Sequence, residues 1–344
     1  MKKLFSLLSV LCMSMSVFAQ SSMLATLSHD GEITTYYGAM AYREAVNAAK
    51  HGDIITLSAG SFAAVNITKA LTIRGAGMSI DTIAKTYPTI LSGDFTIQIP
   101  DSITHRLTLE GLYHSQSINV KGTLKNATFL KDRLKIIDYE SNSSMKNLTF
   151  IHCKISNYLK LPSQSSASCV NCYITNPFSD DATSSNFEFT NCVIRFTDYS
   201  GYIGSPTMVR SSLYNNCVIY HTISSSDAIP SNSTAYYCVG RVSGSSYNLF
   251  ANQTNTTNWN LGAAAYSNLF KTCTGGYNDN ETFELADAAK TKYLGADGKE
   301  VGMYGGDLPY NERPTNPQIT KCNVAAKSTA DGKLSVDIEV SAAE

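Results

Sequence analysis

Five residues carry side chains that could take part in polysaccharide cleavage. Asp180 and Asp181 are adjacent carboxylates in a segment expected to be a loop, and Lys154, Arg195 and His221 flank neighbouring repeats. A lyase needs a cation or basic group to stabilise the carboxylate enolate, and a Lys or Arg that removes the proton. Equivalent positions of stacked repeats lie close together, so these residues could converge on one groove. Because paired acids in loops are mostly solvated, the five are weak catalytic candidates.

Tyrosines recur through the same part of the chain and could bind sugars without cleaving them. The sequence contains 20 tyrosines. Those inside a core would only fill space, whereas exposed rings in a groove would suit the faces of sugar rings. The pattern is compatible with both. The candidates for a glycan-binding surface are Tyr173, Tyr199, Tyr202 and Tyr220.

A set of cysteines recurs every 19 to 25 residues, three of them directly preceded by asparagine. Asn tolerates the left-handed backbone conformation, so a single Asn can bend one strand into the next. Stacked repeats lie about 4.8 Å apart, which places each cysteine over the previous one. The spacing therefore predicts a structural ladder. Its members are Cys153, Cys172, Cys192, Cys217 and Cys238, with Asn171, Asn191 and Asn216.

The chemistry of this cysteine column allows two states. In an exported protein the default expectation is disulfide bonding. In a regular column, however, cysteine behaves as a small buried hydrophobe. We expect a mostly reduced ladder, although a staggered pair lies within the range that a disulfide requires.

The repeat extends upstream with other residue types in the cysteine column. Asp132 occupies this position 21 residues before Cys153, and Leu112 lies a further 20 residues back. Each repeat contains short alternating runs of β-branched and aromatic residues rather than a helical pattern. Successive repeats of this length are typical of a solenoid. The sequence therefore predicts an all-β, parallel solenoid fold.

Two segments resemble a known family. Residues 41–62, AYREAVNAAKHGDIITLSAGSF, are followed by residues 67–77, ITKALTIRGAG. Together they resemble the opening of right-handed parallel β-helix proteins of the pectin-lyase-like superfamily, and most closely exported β-helix proteins of Bacteroides-type bacteria. The resemblance implies a capping helix, on which Tyr42, Val46 and Ala49 share one face. Residues 295–306 resemble the closing turn at the other end.

The resemblance implies a fold more clearly than an activity, because the superfamily includes lyases, hydrolases, adhesins and inert stalks. Its pectate lyases use acidic residues for calcium and an arginine as base. The segments Trp-x-Asp-His and Arg-x-Pro-x-x-Arg of those enzymes are absent from this sequence. The Asn-Thr-Asp, Gly-His-Gly and Arg-Ile-Lys segments of polygalacturonases are absent too. No cofactor is expected, and calcium would be needed only by a lyase.

The first residues have the features of a targeting segment. Lys2 and Lys3 precede the apolar stretch 4–17, and small residues at Val17 and Ala19 offer a cleavage site. This pattern predicts a secretory signal peptide over residues 1–19. No other apolar run is long enough to span a bilayer. We therefore expect an exported protein of the periplasm, the cell surface or the extracellular medium.

The rest of the chain divides into a solenoid over residues 20–306 and a tail over residues 307–344. The tail begins with several prolines and then alternates Leu334, Val336, Ile338 and Val340 with polar residues. This alternation predicts one strand with a buried face. The strand either packs on the last coils or serves as a sorting or surface-attachment element.

Composition and charge exclude one class of partner. With 27 basic and 28 acidic residues the chain has no electrostatic footprint for nucleic acid, and its scattered histidines have no metal-ligand spacing. The leading hypothesis is an exported, non-catalytic β-helix protein that binds polysaccharide or another extracellular partner. The alternatives are a polysaccharide lyase or glycoside hydrolase acting on acidic glycans, and a structural stalk or adhesin. The oligomeric state is left open.

Overall fold

A computed structural model of the chain forms a parallel β-solenoid of about seven turns. This confirms the parallel β-helix predicted from the repeats. The structure describes residues 23–82, 86–179, 186–196, 212–221, 234–241, 258–261, 269–272, 281–315, 318–324, 327–328 and 331–341.

Each turn contributes strands to two long sheets, and nearly all neighbours pair in parallel. The first, sheet A, contains β1 (Leu24–His29), β2 (Glu32–Tyr37), β3 (Ile54–Leu57), β5 (Thr72–Arg74), β8 (Thr108–Glu110), β11 (Thr128–Leu130), β14 (Leu148–Ile151), β16 (Ser166–Val170), β19 (Asn186–Thr190), β21 (Leu213–Asn215) and β23 (Thr234–Tyr236). It follows the order β2-β1-β3 and then chain order to β23.

The second, sheet B, contains β4 (Gly60–Ala63), β6 (Thr89–Ser92), β7 (Phe95–Ile97), β9 (Leu112–Val120), β12 (Arg133–Tyr139), β15 (Lys154–Leu161), β17 (Tyr173–Thr175), β18 (Pro177–Ser179), β20 (Val193–Phe196), β22 (Val218–His221), β24 (Val239–Arg241) and β25 (Trp259–Asn260). A short third sheet pairs β10 (Thr123–Lys125) with β13 (Ser144–Lys146). Inward residues of all three sheets form one continuous core, as period-2 alternation requires.

From the β8–β9 turn to the β23–β24 turn, the corner between sheets A and B is a single residue with left-handed backbone. Three of these residues are the predicted asparagines, with φ of 49° at Asn171, 51° at Asn191 and 53° at Asn216. The predicted bending role of the asparagines is therefore confirmed. Other turns use different residue types at the same corner. They are Gly111, Lys131, His152 and Tyr237.

The N-terminal end is closed by a hairpin and a helix. The antiparallel hairpin β1–β2 extends sheet A beyond β3, and α1 (Ala41–Ala48) lies against it. Tyr42, Val46 and Ala49 are each less than 5% exposed, which confirms the predicted apolar face of the capping helix. The end of a solenoid is otherwise an open edge.

The chain turns back after the last coils. Helix α2 (Asp287–Lys292) and its flanking residues pack on the outer surface of sheet B, where they cover Tyr173, Val193, Val218 and Val239. Residues 301–315, here called the return segment, then run along the A–B corner toward the early coils. Gly302 donates its N–H to Asn216 O at 2.8 Å, and near its end Thr315 bonds Glu110.

The tail differs from the expectation that its strand packs on the last coils. Strands β26 (Gln318–Val324) and β27 (Val336–Ser341) form an antiparallel hairpin. The alternating apolar side chains Val336, Ile338 and Val340 are each more than 50% exposed. The alternation therefore marks a strand correctly, but the structure leaves its apolar face exposed and connects it through the return segment to the early coils.

Neither helix in the described part of the chain has the length and hydropathy of a membrane-spanning segment.

Candidate functional site

The outer surface of sheet A carries a shallow groove of about 470 Å³ across β14, β16, β19 and β21. We call it the polar groove, because its exposed side chains are hydroxyls and amides with a single carboxylate. Its polar lining consists of Asn147, Thr149, Ser166, Ser168, Asn186 and Glu188, and Leu213 closes one end.

A row of hydroxyl residues, here called the hydroxyl file, lines one side of the groove. In-register pairing places Thr108, Thr128, Thr149 and Ser168 opposite one another on consecutive strands. Because period-2 alternation buries Phe129, Phe150 and Cys169 next to them in sequence, these hydroxyls must point outward. Strands β8, β11, β14 and β16 thus each add one hydroxyl to the file, and Glu188 of β19 and Leu213 of β21 follow in the same register.

A second row of polar side chains lines the other side. Asn126 and Asn147 both have left-handed backbone, with φ of 55°, at the corner between the third sheet and sheet A. Asn147 donates from Nδ2 to Asn126 Oδ1 at 3.3 Å, and the Ser166 hydroxyl donates to Asn147 Oδ1 at 3.2 Å. These bonds hold the amides in one orientation. By contrast, the hydroxyls of Thr149 and Ser168 bond no described side chain and are available to a ligand.

The catalytic candidates do not come together among the described residues. Lys154 is 9% exposed, lies under the return segment and pairs with Glu312. Arg195 is on β20, two strands from the β15 strand of Lys154. Lys154 is in register with Val193, two residues before Arg195. His221 ends β22, and its side chain lies outside what the structure describes. Asp180 and Asp181 lie outside the described residues.

Burial also removes one binding candidate. Tyr173 is fully buried, and its ring stacks on Phe283 with a centroid distance of 4.0 Å. It therefore supports the outer core under α2 and offers no surface to a sugar. Tyr220 lies in β22, its side chain outside what the structure describes, and Tyr199 and Tyr202 lie outside the described residues.

The cysteine column is fully buried and does more than fill space. Six cysteines whose side chains the structure describes are free thiols, namely Cys153, Cys169, Cys172, Cys192, Cys217 and Cys238. Cys217 Sγ accepts the N–H of Cys192 at 3.5 Å and donates to Phe189 O at 3.4 Å. The same pattern recurs where Cys153 N–H meets Cys172 Sγ at 3.3 Å. Burial raises the pKa of the Cys153, Cys172 and Cys217 thiols, which keeps them protonated as donors.

Two oxygen-bearing residues continue this column. Asp132 Oδ1 accepts the N–H of Leu112 at 2.8 Å. At the other end, Asn258 Oδ1 accepts the N–H of Cys238 at 2.9 Å, while its Nδ2 donates to Ala235 O. Sequence reasoning placed Asp132 in the column but missed Asn258, whose distance of 20 residues from Cys238 was the available signal. The column is a hydrogen-bond ladder that satisfies backbone groups at the bend.

The return segment covers a cluster of charged groups beside the same corner. Glu312 bonds the side chains of Lys154, Ser79 and Tyr310. Burial opposes ionisation of Glu312, but the ammonium of Lys154 and the hydrogen bonds from Ser79 and Tyr310 together outweigh it and lower the pKa of this carboxyl. His152 donates from Nε2 to Leu308 O at 3.0 Å. These contacts hold the return segment on the coils and leave Lys154 inaccessible to a substrate.

No group of three or more metal-ligating side chains lies together in the part of the chain that the structure describes. In comparisons with known proteins, no family model matches the chain. No curated protein and no solved structure matches it either.

Proposed function

We propose that the protein binds an extended, largely uncharged polysaccharide in the polar groove without cleaving it. The observation that carries this proposal is the in-register arrangement of hydroxyl and amide side chains along a groove of about 470 Å³. This volume lies in the range of small-molecule sites, and its lining suits a ligand made of hydroxyl groups.

The repeat of the fold favours a polymer over a single small molecule. Successive coils are about 4.8 Å apart, so a chain lying along the solenoid axis meets polar side chains on three consecutive strands, β14, β16 and β19. Thr149 and Ser168 supply hydroxyls that bond no described side chain, and Asn147 supplies an amide fixed by its neighbours. Many such contacts, each weak, add up along the polymer.

The charge of the groove favours an uncharged glycan over the acidic glycans expected of a lyase. Glu188 is exposed and is the only ionisable residue in the described lining. Its carboxylate would repel uronate groups. Typical glycoside hydrolysis uses two carboxylates on opposite sides of the bond, so a lining with one supports binding rather than cleavage.

Affinity electrophoresis through gels that contain neutral or acidic polysaccharides tests the binding. We expect retardation by a neutral glycan, and a reduction of roughly tenfold or more in affinity for Ser168→Tyr, which fills the groove. Ser61→Tyr is the matched control, because Ser61 is exposed on β4 of sheet B. Equal binding by both variants would place the ligand elsewhere.

Incubation of the same glycans with the protein tests catalysis. Unsaturated product and new reducing ends are followed with calcium and with chelator. We expect neither product. Calcium-dependent unsaturated product would instead make the protein a lyase, and new reducing ends alone would make it a hydrolase. Absence of both binding and turnover across the panel would favour a structural stalk.

A further inference from the structure

Strand β2 is the terminal strand of sheet A, and its outer side is free among the described residues. The sheet order begins at β2, which pairs with β1 alone. Five of its six residues are exposed. Unpaired edges of this kind are templates for another strand.

The hairpin turn between β1 and β2 determines which N–H and C=O groups of β2 point toward β1. Asp30 and Gly31 both have positive φ, 49° and 87°, which gives a two-residue turn of type I′. The residues flanking such a turn form a hydrogen-bonded pair, so alternate residues from Glu32 onward bond β1. The bond from Gly38 N to Met23 O at 2.7 Å continues this alternation.

The residues in between must therefore direct both N–H and C=O away from β1. They are Ile33, Thr35 and Tyr37, whose side chains also share the outer face of the sheet. Ile33 is 70% exposed and Tyr37 is 66% exposed. This edge thus combines unpaired backbone groups with an exposed apolar pair.

We propose that β2 pairs with β2 of a second copy of the chain, antiparallel and about a two-fold axis at Thr35. In this register Ile33 faces Tyr37 of the other copy, and the two Thr35 residues face each other. All three pairs are of the hydrogen-bonded type, so each exchanges two backbone hydrogen bonds. Aromatic with β-branched pairs and Thr with Thr pairs are favourable across strands.

The sequence of β2 favours a second copy of the chain as the partner over an unrelated protein. The strand is its own complement in this register, as an isologous contact requires. Glu32 is the only charged residue of β2 and falls opposite Gly38, so no like charges meet. The strand also lacks the Lys, Pro or bulge with which edges are usually blocked.

Analytical ultracentrifugation of the purified protein tests the contact. A single pair of short strands buries less than a standard interface, so we expect a dimer with a dissociation constant roughly in the micromolar range. Thr35→Pro removes an outward N–H without touching the bonds to β1 and should weaken the dimer roughly tenfold or more. Tyr87→Lys, at an equally exposed tyrosine outside β2, should leave it unchanged.

Cross-linking gives a second readout, because a covalent bond traps even a weak dimer. Thr35→Cys places two thiols face to face on the axis, so mild oxidation should give a covalent dimer. Tyr87→Cys is the control for random collision, and it also corrects for background from the native cysteines. A protein that is monomeric at all concentrations, with no excess cross-linking of Thr35→Cys, would overturn the proposal. A dimer that Thr35→Pro leaves intact would place the interface elsewhere.

Discussion

At the residue scale, each cysteine of the column could act as a small apolar side chain or as a hydrogen-bonding group, and the sequence alone does not separate these two roles. A small buried hydrophobe would be replaced well by valine, whereas a hydrogen-bond relay would be replaced better by serine. Cys217 accepts the N–H of Cys192 and donates to Phe189 O. Cys217→Val leaves that buried N–H unpaired, and we expect it to lose about 1–3 kcal/mol of unfolding free energy more than Cys217→Ser. Urea unfolding of both variants measures this difference. Equal unfolding free energies would mean that the cysteines only fill space in the core.

Asp132 is a buried carboxyl in the same column, and its titration should affect stability. Burial raises its pKa well above the ordinary value, and Glu110 adds to this. A raised native pKa contributes stability below the unfolded pKa, and that contribution is lost as pH rises through the native pKa. Asp132→Asn keeps the Oδ1 acceptor for Leu112, as Asn258 does for Cys238, but has no proton to lose.

We therefore expect Asp132→Asn to gain on the natural protein as pH rises from 5 to 8, by at most about 1.4 kcal/mol per pH unit. His114 is a neighbour of Asp132, with 3.9 Å between His114 Nε2 and Asp132 Oδ2, and burial lowers its pKa to about 3. It stays neutral in the folded state over this range, and its unfolded titration is common to both proteins. Urea midpoints at the two pH values measure the effect, and a pH-independent difference would contradict it.

At the element scale, the elements set by local sequence could be predicted and those set by distant contacts could not. The left-handed asparagines and the face of α1 follow from residue type and spacing, and both are confirmed. The return segment is different, because nothing in residues 301–315 names the corner that they cover. Its partners, such as Asn171 and His152, are 130 or more residues away. The polar groove was missed for a related reason, since Thr149 and Ser168 become neighbours only through strand register.

Besides bending the chain, the corner asparagine Asn171 also holds the return segment, and a substitution at this residue tests that second role. Its Nδ2 donates to Met303 O and Gly305 O, both at 2.8 Å in a buried site. Asn171→Gly keeps the left-handed backbone but removes these bonds, and we expect a loss of about 1–3 kcal/mol. The matched control is Asn142→Gly, because Asn142 has φ of 65° and is exposed. Thermal or urea unfolding in which both variants lose equally would deny Asn171 any part in holding the return segment.

At the scale of the whole molecule, the two proposals concern one surface. Ile33 lies in register with Ser28, Ile54 and Thr72 across the first strands, so β2 shares its outer face with the hydroxyl file. A two-fold axis through that edge would place both polar grooves on the same side of a joined sheet. Two grooves on one long glycan would gain avidity without any new contact to sugar.

The return segment also decides how a stack of coils unfolds. In a solenoid each coil contacts only its neighbours, so one end can open before the other. Here the segment joins the coil of Asn216 to that of Glu110, and we expect it to make unfolding cooperative. Trp259, the single tryptophan, lies in the last described coil against Tyr293, so its fluorescence reports that end while circular dichroism reports all strands.

The two urea transitions should coincide in the natural protein. They should separate when Asn171→Gly is combined with Lys154→Met, which removes the cationic partner of Glu312 while keeping an apolar stem of similar length. In that variant the fluorescence of Trp259 should change at lower urea than the circular dichroism, because the return segment then holds the last coils through fewer contacts. Thr291→Ala with Asn142→Gly is the control, since both sites are exposed and lie outside the return segment. Transitions that already differ in the natural protein would mean that residues 301–315 lie on the coils without coupling them.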